Sequence, residues 1–369
     1  WPFEVNLQAY RMSKKVVVAM SGGVDSSTVA AILASEGYEV IGVTLQLYDY
    51  GLTVGKKGAC CAGQDIYDAQ MAAEKIGIKH YVLNYENVFK QAVIDDFSDS
   101  YLRGETPIPC VRCNQKVKFQ DLFKVAKDLN ADFLATGHYV RRIEVDGKAQ
   151  LHSGFDDGKD QSYFLFTTTQ DQLDFLRFPI GHLNKSQTRE LATKFGLPVA
   201  DKPDSQDICF VPNGNYASVI EKFRPGALEA GNIITVDGQV IGKHDGIINF
   251  TIGQRRGIGI ANEVPLYVIK LIPETHEVVV GPISELYSSE LSIKEVNWLG
   301  EGEISNNPIN CHVKLRSAHK LIPAQMYLDQ GTVKVKLDEP YRGITPGQAC
   351  VMYDGTRVLG GGWIMRNHD

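Results

Sequence analysis

At 369 residues the chain is long enough for two or three domains. Its make-up, 43% hydrophobic and 22% charged, is that of a soluble globular protein, and no apolar run approaches the ~20 residues that would cross a bilayer, so no membrane partner is expected. A formal net charge of −6 excludes a uniformly basic polyanion binder; any nucleic-acid surface has to be a local patch, with Lys116/Lys118, Arg141/Arg142, Arg255/Arg256 and Lys314/Arg316 as the candidates.

In chain order, the first part alternates strands with helices. Residues 16–20 read as a strand, 26–36 as a helix ended by Gly37, and 39–47 as a second strand. Residues 65–76 are helical and stop at Gly77, 80–84 form a strand, and 88–102 a helix. Helical spacing returns at 116–129, followed by a short strand at 132–136 that runs into Gly137-His138. This alternation predicts a parallel sheet with helices on both faces and ligands at the carboxyl ends of its strands.

From Ile143 the texture changes. A hairpin turns at Asp146-Gly147, and helical stretches follow at 169–175 and 186–195. Beyond residue 215 short glycine-punctuated strands take over at 232–236, 239–240 and 247–252. The last part carries strands at 292–298, 310–315, 324–328, 331–337, 349–353 and 357–363, the spacing of a small closed β-barrel. The expected division is an α/β catalytic domain over 12–214, a small central domain over 215–282 and a β-barrel over 283–369.

Residues 1–11 lack the charged-then-apolar layout of a signal peptide, and a start at Met12 would make them a leader. The seven cysteines, Cys60, Cys61, Cys110, Cys113, Cys209, Cys311 and Cys350, are too few and too scattered for a disulfide scaffold. A reducing cytoplasm is therefore expected, where clustered cysteines point to metal or redox chemistry.

The most informative segment is Ser21-Gly22-Gly23-Val24-Asp25-Ser26-Ser27, which joins the first strand to the first helix. Adjacent glycines let the backbone bend and approach a ligand closely. The amides and hydroxyls at the helix start then favour an anion, and phosphate is the natural guest. The segment has neither the Gly-x-x-x-x-Gly-Lys pattern nor Gly-x-Gly-x-x-Gly, so it lacks the lysine that reaches a transferred γ-phosphate. It resembles the PP-loop of ATP pyrophosphatases, a family in which ATP is cut between its α and β phosphates.

The second strong feature is Thr106-Pro107-Ile108-Pro109-Cys110-Val111-Arg112-Cys113-Asn114. The prolines stiffen a loop, Asn114 is a candidate cap for the helix that follows, and Arg112 and Lys116 lie close to Cys113. These influences favour a reactive thiolate. Cys110-x-x-Cys113 also has metal-ligand spacing, but no second pair completes a zinc set. With Cys209 as a third ligand, an iron–sulfur cluster is open.

Seven stretches in order resemble the bacterial tRNA-specific 2-thiouridylase family: 21–27, 106–119, 135–139, 159–163, 205–210, 250–257 and 345–348. The resemblance implies 2-thiolation of the wobble uridine of tRNA. The uracil C2 oxygen would be adenylated with ATP and Mg2+, then displaced by a cysteine-borne persulfide sulfur, releasing AMP and pyrophosphate. On that basis Ala19, Met20, Ser21, Gly22, Gly23, Val24, Asp25 and Ser26 hold ATP, with Leu45 and Gly137 at the adenine and ribose end. Asp25 is a candidate magnesium contact or a helix cap. Cys209 carries the sulfur, and Cys113 closes a disulfide with it as sulfur leaves. Ile108, Pro109 and Cys110 border the flipped base, while Lys159, Asp160 and Gln161, together with Arg316 and Ser317, contact tRNA. Arg255 and Arg256, paired in a glycine-bounded turn, suit backbone phosphates. The implied partners are tRNAs of the Lys, Glu and Gln type and a sulfur-donor protein, a cysteine desulfurase or a sulfur relay.

The chain departs from the family at Cys110, where the best-known form has an acid/base aspartate. A thiol titrates about four units above an aspartate and does not replace it as a proton carrier at neutral pH. Water or Asp25 takes that task, or Cys110 joins Cys113 and Cys209 as ligands of a [4Fe–4S] cluster. Two rival activities fit parts of the sequence. One is a PP-loop ligase that forms an amide from ATP, which needs neither Cys113 nor Cys209; the second is a non-catalytic RNA-binding protein with the barrel as its active part.

Overall fold

A computed structural model describes residues 14–48, 61–204, 208–211 and 214–366. The expected start at Met12, Cys60 and the first three residues of the 205–210 stretch lie outside them.

The chain opens with strand β1 (Lys15–Ala19), helix α1 (Val24–Ser35), strand β2 (Glu39–Gln46), helix α2 (Cys61–Ile76) and strand β3 (Lys79–Asn84). Gly37 and Gly77 end the two helices at φ of +88° and +80°, the left-handed conformation that stops a helix. Strand β4 (Phe133–Thr136) then returns to the far side of β1. With β7 (Leu176–Arg177) the strands lie in the order β3-β2-β1-β4-β7, and every pairing is parallel. The chain reverses direction across the sheet between β1 and β4, which opens a crevice at their carboxyl ends. Register sets Ala19 level with Val43 and with Thr136, so the residues just past each strand share one edge.

Between β3 and β4 lie two helical runs. The first consists of Glu86–Phe89, a π-helical stretch Lys90–Ile94, and Asp95–Leu102. The second starts at Pro109, passes into a π-helical stretch Cys113–Lys118, breaks at Phe119, and resumes as Asp121–Asp128. The helix expected at 116–129 thus begins seven residues earlier and is interrupted. Pro109 starts it rather than barring it, because a first-turn residue has no intrahelical use for an N–H. Asn114 lies inside the run and caps nothing; Ile108 holds the capping position.

The hairpin of β5 (Val140–Val145) and β6 (Lys148–Ser153) turns at Asp146 and Gly147, both at positive φ. The central unit is a four-stranded sheet of β8 (Gly231–Thr235), β9 (Val240–His244), β10 (Tyr267–Ile272) and β11 (Glu277–Gly281), preceded by the helix Tyr216–Phe223. Its Ile233, Val268, Leu271, Val278 and Val280 share one buried cluster with Phe89, Phe97, Cys113 and Phe210. The strand expected at 247–252 is instead a 3-10 turn, Ile247–Asn249.

Strands β12 (Tyr287–Trp298), β13 (Ile309–Lys314), β14 (Ile322–Asp329), β15 (Thr332–Arg342), β16 (Ala349–Asp354) and β17 (Arg357–Ile364) follow the order β12-β15-β14-β13-β16-β17, and β17 pairs back to β12. The barrel is closed, which removes its edges. Cys311 and Cys350 are buried in its core beside Val313, Met326 and Met352. β17 also takes β6 as a neighbour, with Arg357 opposite His152, so the hairpin from the first half of the chain extends the barrel sheet.

Candidate functional site

The glycine loop sits at the crevice between β1 and β4. Helix α1 starts behind Gly23 with no side-chain cap, so its first amides point into the loop. Gly22 has φ of +74°, and a Cβ there would stand 2.0 Å from the carbonyl oxygen of Asp65; no other residue fits. Gly137, just past β4, faces the other side of the loop. A Cβ there would stand 2.8 Å from the Ser26 amide nitrogen. Ser26 Oγ accepts from the Ser21 amide at 3.1 Å, and Ser27 Oγ donates to the Gly23 carbonyl at 2.9 Å, which fixes the loop in its turn. Leu45 lies near the end of β2, half-buried against both the sheet core and the Cys113 cluster. The expected nucleotide residues from Ala19 to Ser26, with Leu45 and Gly137, therefore share the carboxyl edge.

Asp25 neither caps the helix nor stands open to a cation. Both its oxygens accept from Lys185 Nζ, at 2.7 and 2.8 Å, and Oδ1 also accepts from the Tyr139 hydroxyl at 2.8 Å. Lys185 reaches on to Asp204 at 2.8 Å, and Asp204 is further held by Lys159 at 2.7 Å and Arg189 at 3.2 Å. Burial opposes ionisation of Asp204, but the hydrogen bonds from Lys159 and Lys185 outweigh it and bring the carboxyl down to about 2. Lys202 Nζ donates to the Gly22 carbonyl at 3.0 Å and to Asp65 at 2.7 Å, and also pairs with Asp68. Burial works against that ammonium, but these carboxylates keep it above the usual lysine range.

His138, one residue past Gly137, exchanges a 2.8 Å hydrogen bond with Thr136 and packs edge-on against Phe119. Desolvation, with help from Lys118, drives its imidazole down to about 3, so it is neutral at physiological pH.

The cysteines meet on this edge. Cys113 is buried at the start of the π-helical stretch, against Phe89, Phe97 and Val117. Cys209 is exposed, but its neighbour Phe210 is wholly buried and locks into Phe89 and Phe97 at ring distances of 5.7 and 5.2 Å. Its thiol hydrogen-bonds to Tyr48, just beyond β2, and lies near enough to Cys113 and Cys110 for each to oppose its ionisation. Desolvation, reinforced by those two, pushes the Cys209 thiol up to about 12 although the residue is exposed. Burial likewise raises Cys113, with Lys118 acting in opposition. That burial works against the thiolate expected at Cys113. The helix N-terminus is a full turn away, and Arg112 is engaged by Glu295. Cys113 and Cys209 are thiols rather than a disulfide. Among the described residues no three His, Cys, Asp or Glu side chains converge as metal ligands, so Cys110, Cys113 and Cys209 as arranged do not make a cluster-ligand set.

The residues expected at tRNA divide into two kinds. Ile108 and Pro109 are buried and Cys110 is exposed at the start of the cysteine helix. Arg255, Arg256 and Ser317 are exposed on turns. Asp160 faces inward, accepting from the Gly154 and Ser162 amides at 2.9 and 3.0 Å and pairing with Lys314. Gln161 accepts from the Tyr139 amide at 2.9 Å. Arg316 donates to Thr345 Oγ1 at 2.7 Å, and its buried Nε has no partner.

Three family models tile the chain: the tRNA methyl transferase HUP domain over 14–213, the tRNA methyl transferase PRC-barrel domain over 218–282 and the aminomethyltransferase beta-barrel domain over 288–364. The tRNA-specific 2-thiouridylase MnmA of Rhodospirillum centenum is 61% identical over 362 residues, covering 95% of this chain and 92% of that protein. The proteins of the same name from Rickettsia felis, 61% identical over 95% of this chain and 97% of that one, and from Rickettsia rickettsii, 60% identical over 98% and 99%, match equally fully. The chain belongs to the tRNA-specific 2-thiouridylase family.

The 2-thiouridylase fold is thus a parallel-sheet HUP domain, a PRC-barrel and a closed β-barrel. Several residues of its site were not found by sequence reasoning: Lys185, Lys202, Asp204, Tyr139 as a partner of Asp25, and Tyr48. One signal was present. Lys185 opens a helix, where the dipole disfavours a cation, and a lysine so placed serves something outside its own helix. Among the described residues, no helix of this 2-thiouridylase is long and apolar enough to cross a membrane.

Proposed function

We propose that the protein places sulfur on C2 of the wobble uridine of tRNA at the expense of ATP, with Cys113 and Cys209 as the sulfur-handling pair. The observation that carries this reading is the meeting of two sequence-distant thiols, with Cys113 near enough to oppose ionisation of Cys209, next to Tyr48 just past β2 on the edge that also carries the glycine loop. The loop from Ala19 to Ser26 would cradle ATP, its uncapped amides balancing charge on the leaving pyrophosphate. The uracil O2 attacks the α-phosphorus and becomes a leaving group. The terminal sulfur of a Cys209 persulfide bonds to C2 as Cys113 sulfur attacks the inner one. A Cys113–Cys209 disulfide forms, AMP departs with O2, and an external thiol later restores both cysteines.

A protonated Cys113 suits the state without RNA, since a buried thiol resists stray oxidation. Both oxygens of Asp25 are taken up by Lys185, so no step is assigned to a metal there, and none to an iron–sulfur cluster. Lys159, Arg255, Arg256, Arg316 and the exposed Ser317 are the proposed tRNA contacts, with Ile108, Pro109 and Cys110 beside the extruded base. Asp160 and Gln161 act by shaping the loop that displays Lys159. The site would work in the cytoplasm on tRNAs of the Lys, Glu and Gln type, fed by a desulfurase or sulfur relay.

The test is replacement of each thiol in turn. Cys113→Ser and Cys209→Ser should each lower thiolation of tRNA, read by nucleoside mass spectrometry, by at least about 100-fold, while tRNA-dependent pyrophosphate release persists. Thiolation that survives either change overturns the assignment of that cysteine to the sulfur-handling pair.

A further inference from the structure

Cys110 and Cys113 lie three residues apart across the first turn of the cysteine helix, and their settings differ: Cys110 is exposed and Cys113 is buried. The Cys113 amide donates to the carbonyls of both Cys110 and Pro109, and the Val111 amide donates to that of Ile108. The bonds to Cys110 and Ile108 each span three residues, as in a 3-10 turn, where side chains at i and i+3 eclipse. In a regular α-helix such a pair has its Cβ atoms about 5–6 Å apart. A disulfide needs about 3.5–4.5 Å, and the tightened turn narrows that gap. Cys110 is also near enough to oppose ionisation of both Cys113 and Cys209.

The proposed reaction leaves Cys113 joined to Cys209, and Cys209 has to become a thiol again before it takes up more sulfur. Cys113 is buried against Phe89, Phe97 and Val117 and is shielded from an external thiol. An external thiol that attacks Cys209 instead forms a mixed disulfide there. The neighbouring Cys113 thiol expels it, and the original bond returns. A third thiol held in the same turn as Cys113 avoids this dead end, because attachment to the chain gives it a high effective concentration.

We propose that Cys110 is a further catalytic residue, the recycling thiol of the site: its sulfur attacks Cys113 Sγ in the Cys113–Cys209 disulfide, a Cys110–Cys113 bond forms, and Cys209 is released as a thiol. Cys110 gives up one proton and Cys209 takes up one. An external dithiol then attacks the exposed Cys110 sulfur and closes its own disulfide. Its two protons and two electrons pass to Cys110 and Cys113, which are both thiols again. The inference rests on the reading of Cys113 and Cys209 as the sulfur-handling pair.

Equilibration of the full chain with reduced and oxidised dithiothreitol, followed by acid quench, alkylation and disulfide mapping by mass spectrometry, tests it. In the wild-type chain the Cys110–Cys113 bond should exceed the Cys113–Cys209 bond by at least about threefold, with Cys209 alkylated. Cys110→Ser, a near-isosteric change at an exposed position, should move the oxidised form to Cys113–Cys209. During tRNA thiolation with dithiothreitol as reductant, Cys110→Ser should run at least about tenfold slower after its first turnover than in it. A wild-type chain in which the Cys110–Cys113 bond is minor or missing, or a Cys110→Ser chain that keeps its first-turnover rate, overturns the inference and leaves the function standing. Absence of the Cys113–Cys209 bond from the Cys110→Ser chain overturns both.

Discussion

Arg112 donates a 2.8 Å hydrogen bond from the cysteine helix to Glu295 in the first barrel strand. The same guanidinium lies 4.4 Å from the Trp363 ring centre and 3.5 Å from Asp96. Glu295 is itself at φ of +51°, inside the irregular stretch where β12 pairs with β17. A non-glycine residue in that region costs about 1 kcal/mol or more, and the surroundings hold it there. Arg112 thus ties the helix that carries Cys110 and Cys113 to the barrel, beside Ile108 and Val111, which share a buried cluster with Val351 and Trp363.

A double-mutant cycle on Arg112→Ala and Glu295→Ala should give a coupling of roughly 1 kcal/mol by denaturant unfolding, the range for a half-exposed charged hydrogen bond. Arg112→Lys should recover little of the loss, because an ammonium does not stack over indole while donating in a fork. Equal stability of Arg112→Lys and wild type would show that the planar group is not what docks the helix.

Gly22→Ala puts a methyl group into the Asp65 carbonyl and a left-handed φ on alanine. We expect a fall in nucleotide affinity of at least about tenfold with a loss of roughly 1–3 kcal/mol in stability. Gly37→Ala has the same φ penalty but meets nothing within 4 Å, so it should cost stability and leave nucleotide binding unchanged. Calorimetric titration of both variants separates the two effects.

Arg255→Ala should weaken tRNA binding and make its dependence on salt less steep, since each phosphate contact releases about one counterion. Filter binding across a salt series reads both quantities. An unchanged slope removes Arg255 from the interface.

His138 supplies a pH prediction. Its folded pKa of about 3 lies below the unfolded value, so below about pH 6.5 the unfolded chain takes up a proton that the folded one refuses. Stability should therefore fall as pH drops from about 6.5 toward 3, by up to about 1.4 kcal/mol per pH unit from this group, less for the part of the residue that remains exposed. Burial lowers His80, His152, His244 and His319 in the same direction. His138→Gln should flatten this limb in urea melts taken between pH 7 and 4; an unaltered limb assigns it to the other histidines.

Much of the architecture was legible because periodicity and glycines write it locally. The strands of the parallel sheet and the barrel strands fall within a few residues of their expected places, apart from the two-residue β7, the early start of β12 and the late end of β15, since each alternates or runs apolar between clear stops. β10 and β11 escaped notice because their hairpin turns at His276, left-handed at φ of +54° without a glycine to mark it. The cysteine helix was misplaced because Asn114 looks like a cap, and only tertiary packing decides that Pro109 starts the run. The glycine loop was readable as a unit. The partners of Asp25 and Asp204 were not, since Lys185, Lys202 and Tyr139 reach them from distant segments and no local pattern records a salt bridge. The pKa state of Cys113 was hidden for the same reason: Phe89 and Phe97, which bury its surroundings together with Phe210, come from one helical run and Phe210 from a segment more than 100 residues on.

The β5–β6 hairpin has a practical consequence. Because β6 borrows β17 as its neighbour, the nucleotide-binding part cannot be excised as an independent module by cutting before the barrel. Such a fragment would lose the strand that covers one side of β6 and would uncover Leu151 and Tyr163, which share a cluster with Val351, Tyr353 and Trp363. Expression of the first two-thirds alone should yield an aggregating polypeptide, and attempts to dissect this protein will need to carry the last strand along with the first.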